Sequence, residues 1–195
     1  MPTWLFGLLL YVSPVRLNVD TYSPGVRLSL LILIVVGTFA VPGLLILYLY
    51  RMGLLADLNM PERAHRRLPY LITGVVYAVV TYLFAFRMSL FSATSPGVAI
   101  ILGSITLSIL LVALINSVWK ISAHGVGIGG VLGTVMVMLA KHSDTDLFMP
   151  FVGLIAISGL VSTARLQLNA HTIGQVGAGL GLGVLISGLA VFWLV

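Results

Sequence analysis

The sequence contains no cysteine, which excludes disulfides, thiol chemistry and cysteine-ligated metals. Charge is scarce as well. Only 8% of the 195 residues are charged, where a soluble domain carries roughly a quarter. So few charged side chains cannot keep a surface wet, and a soluble globular fold is excluded. Five residues are acidic; they form no carboxylate cluster, and no metal or other cofactor is expected. No basic n-region precedes the apolar stretch Trp4 to Val12, and no small-residue cleavage site follows it. A cleaved signal peptide is therefore not expected.

Apolar side chains are what the chain has in abundance: they make up 59% of it, and mean hydropathy is +1.15. A helix needs about 20 apolar residues to cross the hydrocarbon core of a bilayer. Six segments read as spans: Leu28 to Tyr50, Pro69 to Phe86, Val98 to Trp119, Val126 to Ala140, Leu147 to Val161 and Ile173 to Val195. The expected fold is all-α, a polytopic membrane bundle of about six helices in one domain over residues 1–195. The fourth and fifth spans are short, with Lys141, His142, Asp144 and Asp146 between them. Each either extends into its flanking loop or packs among neighbours without crossing fully. Within residues 1–27, Trp4 to Val12 is too short to span and reads as a helix lying in the membrane interface. Pro14, Pro24 and Gly25 then break the chain before the first span.

The net charge is +5 and the isoelectric point is near 9.9. The ten basic residues sit mostly in loops between apolar spans, so topology and anionic lipid headgroups explain them better than nucleic acid. With six spans, the loops after the first, third and fifth share one face. They carry Arg51, Asp57, Glu62, Arg63, His65, Arg66, Arg67, Lys120, Ser122, His124, Arg165, Asn169, His171 and Gln175. The positive-inside rule accounts for such a face as cytoplasmic loops. A second reading rests on two details. His124 and His171 stand where helices begin, and there outward N–H groups and the helix dipole favour an anion. Lys120 and Arg165 stand four and six residues ahead of them, and a phosphate between the two helix starts would meet Arg as a fork and Lys as a point charge. Glycines open the fourth span (Gly125, Gly127, Gly129, Gly130, Gly133) and the sixth (Gly174, Gly177, Gly179, Gly181, Gly183). They read as close helix packing that brings these two starts together.

At these residues the chain resembles the type 2 phosphatidic acid phosphatase superfamily. Ala164-Arg165-Leu-Gln-Leu-Asn-Ala-His171-Thr-Ile-Gly-Gln175 looks like the third family signature, S-R-x5-H-x3-D. Ile121-Ser122-Ala123-His124 looks like the second, P-S-G-H, and Arg63-Ala-His-Arg66-Arg67-Leu-Pro69 occupies the place of the first, K-x6-R-P. The likeness covers roughly Arg63 to Gly183. Gln175 stands where the family has the aspartate that supports the histidine, and Ala164 replaces its serine. Arg63, Arg66 and Arg67 transfer only as a group.

The resemblance implies phosphoryl transfer through a phosphohistidine, with His171 as nucleophile and His124 protonating the leaving group. Arg165, Lys120, Ser122 and the first-motif arginines would hold the phosphoryl oxygens. The implied substrate is a lipid phosphate or a polyprenyl diphosphate in a plasma membrane, the bacterial inner membrane in the first instance, with membrane lipids as the other partner. Gln175, one turn after His171, can accept the Nδ1 proton but offers no negative charge. That difference keeps open a non-catalytic lipid-phosphate binding or transport protein. A structural subunit whose basic loops only set orientation is the further alternative.

Among the remaining polar residues, His65 and His142 read as solvated loop residues, and Asn116 reads as a helix-to-helix hydrogen bond. Ser122 reads as a helix cap and as a phosphate contact, two compatible roles.

Overall fold

The computed structural model describes residues 1–55, 63–88, 93–142 and 145–194, with backbone alone at 63–65, 142 and 194. Among the described residues there are seven helices and no strand. Helix α1 is Pro2–Tyr11, and α2 runs continuously from Pro24–Val35 through a π-helical turn, Val36–Ala40, into Val41–Arg51. Helix α3 is Arg63–Tyr82, extended by a second π-helical turn, Leu83–Arg87. Helices α4 (Pro96–Val118), α5 (Ala123–His142), α6 (Phe148–Gln167) and α7 (Ile173–Leu194) complete the bundle. Six of the seven, α2 to α7, are long and apolar enough to cross a membrane. The fourth and fifth expected spans both extend into their flanks, to 20 residues each, about 30 Å of helix.

The ends follow from local sequence. Pro24 and Pro96 occupy first-turn positions, where a missing N–H costs nothing. Gly53, with φ +75°, ends α2; its N–H reaches Tyr50 O, and that of Leu54 reaches Leu49 O. These two bonds form a Schellman cap.

The spans are joined by backbone proximity and by hydroxyls. A Cβ on Gly183 would lie 2.1 Å from Val126 O, and one on Gly129 would lie 2.3 Å from Leu180 O. No side chain fits there, so α5 and α7 meet backbone to backbone. Thr81 and Thr106 hydroxyls pair at 2.8 Å between α3 and α4, and Ser104 donates to Ser187 at 3.4 Å between α4 and α7. The π-turn in α2 leaves the Thr38 carbonyl to accept from the Tyr77 hydroxyl at 2.7 Å. In lipid such polar contacts replace the hydrophobic drive that holds soluble helices together.

The N-terminal helix, expected to lie in the membrane interface, packs one face into the bundle. Its residues Leu5, Phe6, Leu9 and Leu10 are at most 2% exposed and belong to the main core, with Leu30, Ile34, Ile101, Val135 and Met138. These four residues share one face of α1, which packs inward, while Trp4 at 79% and Tyr11 at 49% exposed stand on the opposite face. The segment that follows it is tied to the start of α4, where Ser95 donates to Asn18 O at 3.2 Å. Ten residues make about 15 Å of helix, half of the about 30 Å that a bilayer core requires. Helix α1 therefore covers about half the depth of the bundle, starting at Met1 beside Gly127, with its amino group close enough to act on His124.

Candidate functional site

The chain is delivered to the basic face by three helix ends. Helix α6 closes with a Schellman cap in which Asn169, at φ 48°, takes the left-handed position. Its N–H bonds Leu166 O at 2.9 Å, and the Ala170 N–H bonds Arg165 O at 3.1 Å. Asparagine tolerates this conformation better than most residues. The turn swings His171 back beside Arg165, which gives the five-residue gap between them a structural cause.

Helix α7 then opens with a reciprocal cap. The Gln175 N–H points to Thr172 Oγ1 at 3.4 Å, and the Thr172 N–H donates to Gln175 Oε1 at 3.2 Å. This Thr-x-x-Gln pair is a capping box. The same Oε1 lies 3.1 Å from His171 Nδ1. Because Oε1 already accepts from a backbone N–H, it is the oxygen of the amide, and Nδ1 must be the donor to it. The neutral imidazole is thereby held with its lone pair on Nε2.

Helix α5 opens against this turn. Ser122 caps it, its Oγ accepting from Gly125 N at 3.1 Å, and the Ser122 N–H donates to Gln175 O at 3.3 Å. A Cβ on Gly179 would lie 2.6 Å from Ser122 O, so the two starts touch. His124, in the first turn of α5, is exposed, whereas His171 is only 7% exposed. Arg66 and Arg165 both lie close enough to interact electrostatically with both imidazoles.

Arg66 is 8% exposed and hydrogen-bonds the Tyr70 hydroxyl one turn along α3. The Nε–H of Arg165 is buried with no hydrogen-bond partner among the described residues. An unpaired buried donor is costly, and a phosphoryl oxygen is a suitable acceptor for it. Burial, opposed by the hydrogen bond to Gln175 and reinforced by the charges of Arg66, Lys120 and Arg165, brings the His171 imidazole down to about 4. Burial, Arg66 and Arg165 likewise hold the Lys120 ammonium below its ordinary value. The imidazole is therefore uncharged at neutral pH, with cations nearby that favour an anion in the space they share.

Of the residues singled out in the sequence, Arg66, Lys120, His124, Arg165, His171 and Gln175 come together. Ser122 is fully buried behind them as a cap. Arg67 is exposed on α3. The side chains of Arg63 and His65, together with Asp57, Glu62, Asp144 and the side chain of His142, lie outside the described residues. Tyr70 and Thr172 escaped the sequence reading. Tyr70 stands four residues after Arg66 on one helix face, a legible spacing; Thr172 with Gln175 is a capping-box pattern. Among the described residues no group of three His, Asp or Glu is placed to hold a metal.

A cavity of about 380 Å³ opens beneath His124 and Tyr70 and runs between α3, α4 and α5 toward Leu5 of α1 and Ser187 of α7. No protein-family model, no curated protein and no solved structure matches the chain.

Proposed function

We propose that this integral membrane protein is a lipid phosphatase acting on a lipid phosphate or diphosphate, such as phosphatidic acid, phosphatidylglycerol phosphate or a polyprenyl diphosphate. The observation that carries the reading is the contact of His171 Nδ1 with Gln175 Oε1, which leaves the Nε2 lone pair free on a ring that Arg66, Lys120 and Arg165 lie close enough to influence. In the first step Nε2 attacks phosphorus and the ester P–O bond breaks. His124 gives a proton to the leaving oxygen. In the second step water attacks the phosphohistidine, His124 takes its proton, and the P–N bond breaks to release phosphate. The arginines and Lys120 hold the three phosphoryl oxygens, which is where charge stabilisation counts in phosphoryl transfer. The motif likeness supports the same chemistry, and a plasma membrane, the bacterial inner membrane above all, is the proposed setting.

A second reading is a protein that binds or carries lipid phosphates without cleaving them. One observation favours it: the group facing His171 is a neutral amide whose oxygen is shared with the helix cap. Rapid-quench trapping with a radiolabelled alkyl phosphate separates the two. Hydrolysis predicts an acid-labile phosphate on the protein that disappears in His171→Ala. Tight binding with neither phosphoprotein nor released phosphate would leave the carrier reading.

A further inference from the structure

The cavity under the cation cluster is mostly apolar behind its mouth. Met1, Tyr70 and His124 stand toward that end, Thr73 and Ser108 lie partway in, and Val131, Ser187 and Leu5 lie deeper. Three of its hydroxyls have partners within the bundle. Tyr77 donates to Thr38 O at 2.7 Å, Ser108 donates to Ser104 O at 2.8 Å, and Ser187 accepts from Ser104. A cavity lined this way gives water too few partners and suits hydrocarbon. His124 and Val131 are seven residues apart on α5, as are Tyr70 and Tyr77 on α3, so the cavity follows the helix axes inward for about 10 Å. Helix α1 lies along it, with Met1 beside Gly127 near the mouth and Leu5 further in.

We propose that the cavity holds one hydrocarbon chain of the substrate and that the side of α1, with Leu5 as the inner wall, limits that chain to about a dozen carbons. The occupant follows from the two ends: cations at the mouth fix an anionic head, and an apolar sleeve behind it takes the tail attached to that head. The length follows from volume. A methylene occupies about the space of a water molecule, about 30 Å³, and the cavity measures about 380 Å³. The inference rests on the lipid-phosphate reading of the mouth but adds to it a preference for medium-length chains.

Burial in the cavity gains little over burial in bilayer, since both are apolar. Selectivity must therefore come from exclusion of chains too long to fit, not from a gain per methylene. The test is competition binding of straight-chain alkyl phosphates, butyl to octadecyl, to the full chain in lipid nanodiscs, with concentrations expressed per lipid. Affinity should be level up to about dodecyl and fall about tenfold for hexadecyl and octadecyl, the cost of overfilling a packed site. Leu5→Ala, which shortens the wall, should move the fall to longer chains. Ser108→Leu, which fills the sleeve midway, should move it to shorter ones. Shifts in opposite directions cannot come from a general loss of folding. Octadecyl phosphate binding as well as dodecyl, or a fall that neither variant moves, overturns the proposal. Phosphate release on the same samples keeps the two readings apart. A length limit without release refutes hydrolysis and leaves the tail cavity; release without a length limit does the reverse.

Discussion

Replacing Gln175 by glutamate adds one charge to the site with the least change of shape. Glutamate has the same length, and Thr-x-x-Glu is as good a capping box as Thr-x-x-Gln, so the bonds from Thr172 N and His171 Nδ1 are kept. Aspartate, one methylene shorter, cannot hold both. Unit charges about 4 Å apart attract by about 2–4 kcal/mol at an effective dielectric constant of about 20–40. That corresponds to about 1.5–3 pKa units, which lifts His171 from about 4 to between about 5.5 and 7. The phosphohistidine carries the same positive charge. If about half of it has developed in the transition state, the barrier falls by about 1–2 kcal/mol and kcat rises about five- to thirty-fold. The carboxylate also draws on Arg66, Lys120 and Arg165, so KM should rise and kcat/KM should gain less than kcat. The assay is phosphate release from dodecyl phosphate across pH, comparing wild type, Gln175→Glu, Gln175→Leu and His171→Ala. A folded Gln175→Glu protein with unchanged kcat and an unmoved acid limb would refute the idea that a neutral amide limits the nucleophile. Activity in His171→Ala would remove His171 from the role altogether.

Four further outcomes follow from particular contacts. Asn169→Gly should keep the α6 cap, whereas Asn169→Val, forced to φ 48°, should cost about 1–3 kcal/mol and depress phosphate release, read by thermal melting beside the activity assay. Gly183→Val should lower stability by about 3 kcal/mol or more, because its Cβ meets Val126 O at 2.1 Å, while Gly153→Val, with open space around it, should melt like wild type. The folded pKa of His171 lies below its ordinary 6.5, at about 4; its contribution to stability is therefore complete above pH 6.5 and lost as pH falls toward 4. The acid limb of kcat/KM should sit near 4 in wild type and move upward in Lys120→Ala, which removes one of the charges that push the imidazole down; a limb at 6.5 in both would contradict the assignment. Finally, sulfate, which does not titrate in this range, should take up a proton on binding between about pH 4 and 6.5 by raising the pKa of His171; calorimetric heats independent of buffer ionisation would contradict it.

The spans were legible because nothing but lipid tolerates so many consecutive apolar residues, and each of the six appears within a few residues of its expected bounds. The adjacency of the fourth and sixth spans was legible too, since glycine on two helices has one strong use inside a membrane. What periodicity could not reveal was the place of α1. A ten-residue leucine-rich helix has the same composition on a surface as inside a bundle, and only the volume left unfilled by the spans decides between them. Gln175 was read as half of a histidine support. Its other half, the cap on Thr172, lay in a Thr-x-x-Gln pattern whose meaning depends on where the helix begins. Arg66 and Arg67 are indistinguishable in sequence, although the rotation of about 100° between neighbours on a helix buries the first and exposes the second.

The amide at Gln175 and the three cations act on His171 in opposite senses, and together they account for an uncharged imidazole. Gln175 fixes the tautomer and supports the charged form weakly. Arg66, Lys120 and Arg165 oppose that form, and so does burial. A dianionic phosphoryl group entering the cluster reverses the balance, because it neutralises the cations that were repelling the imidazolium. In the empty site His171 is kept free of a proton; with a bound phosphate, positive charge on the ring becomes tolerable. A carboxylate in place of Gln175 would favour the cation whether or not phosphate were present, and at neutral pH would risk protonating the nucleophile before substrate arrives. A neutral support is thus consistent with a slow but correctly ordered phosphoryl transfer, in which the substrate's own charge contributes what the amide lacks.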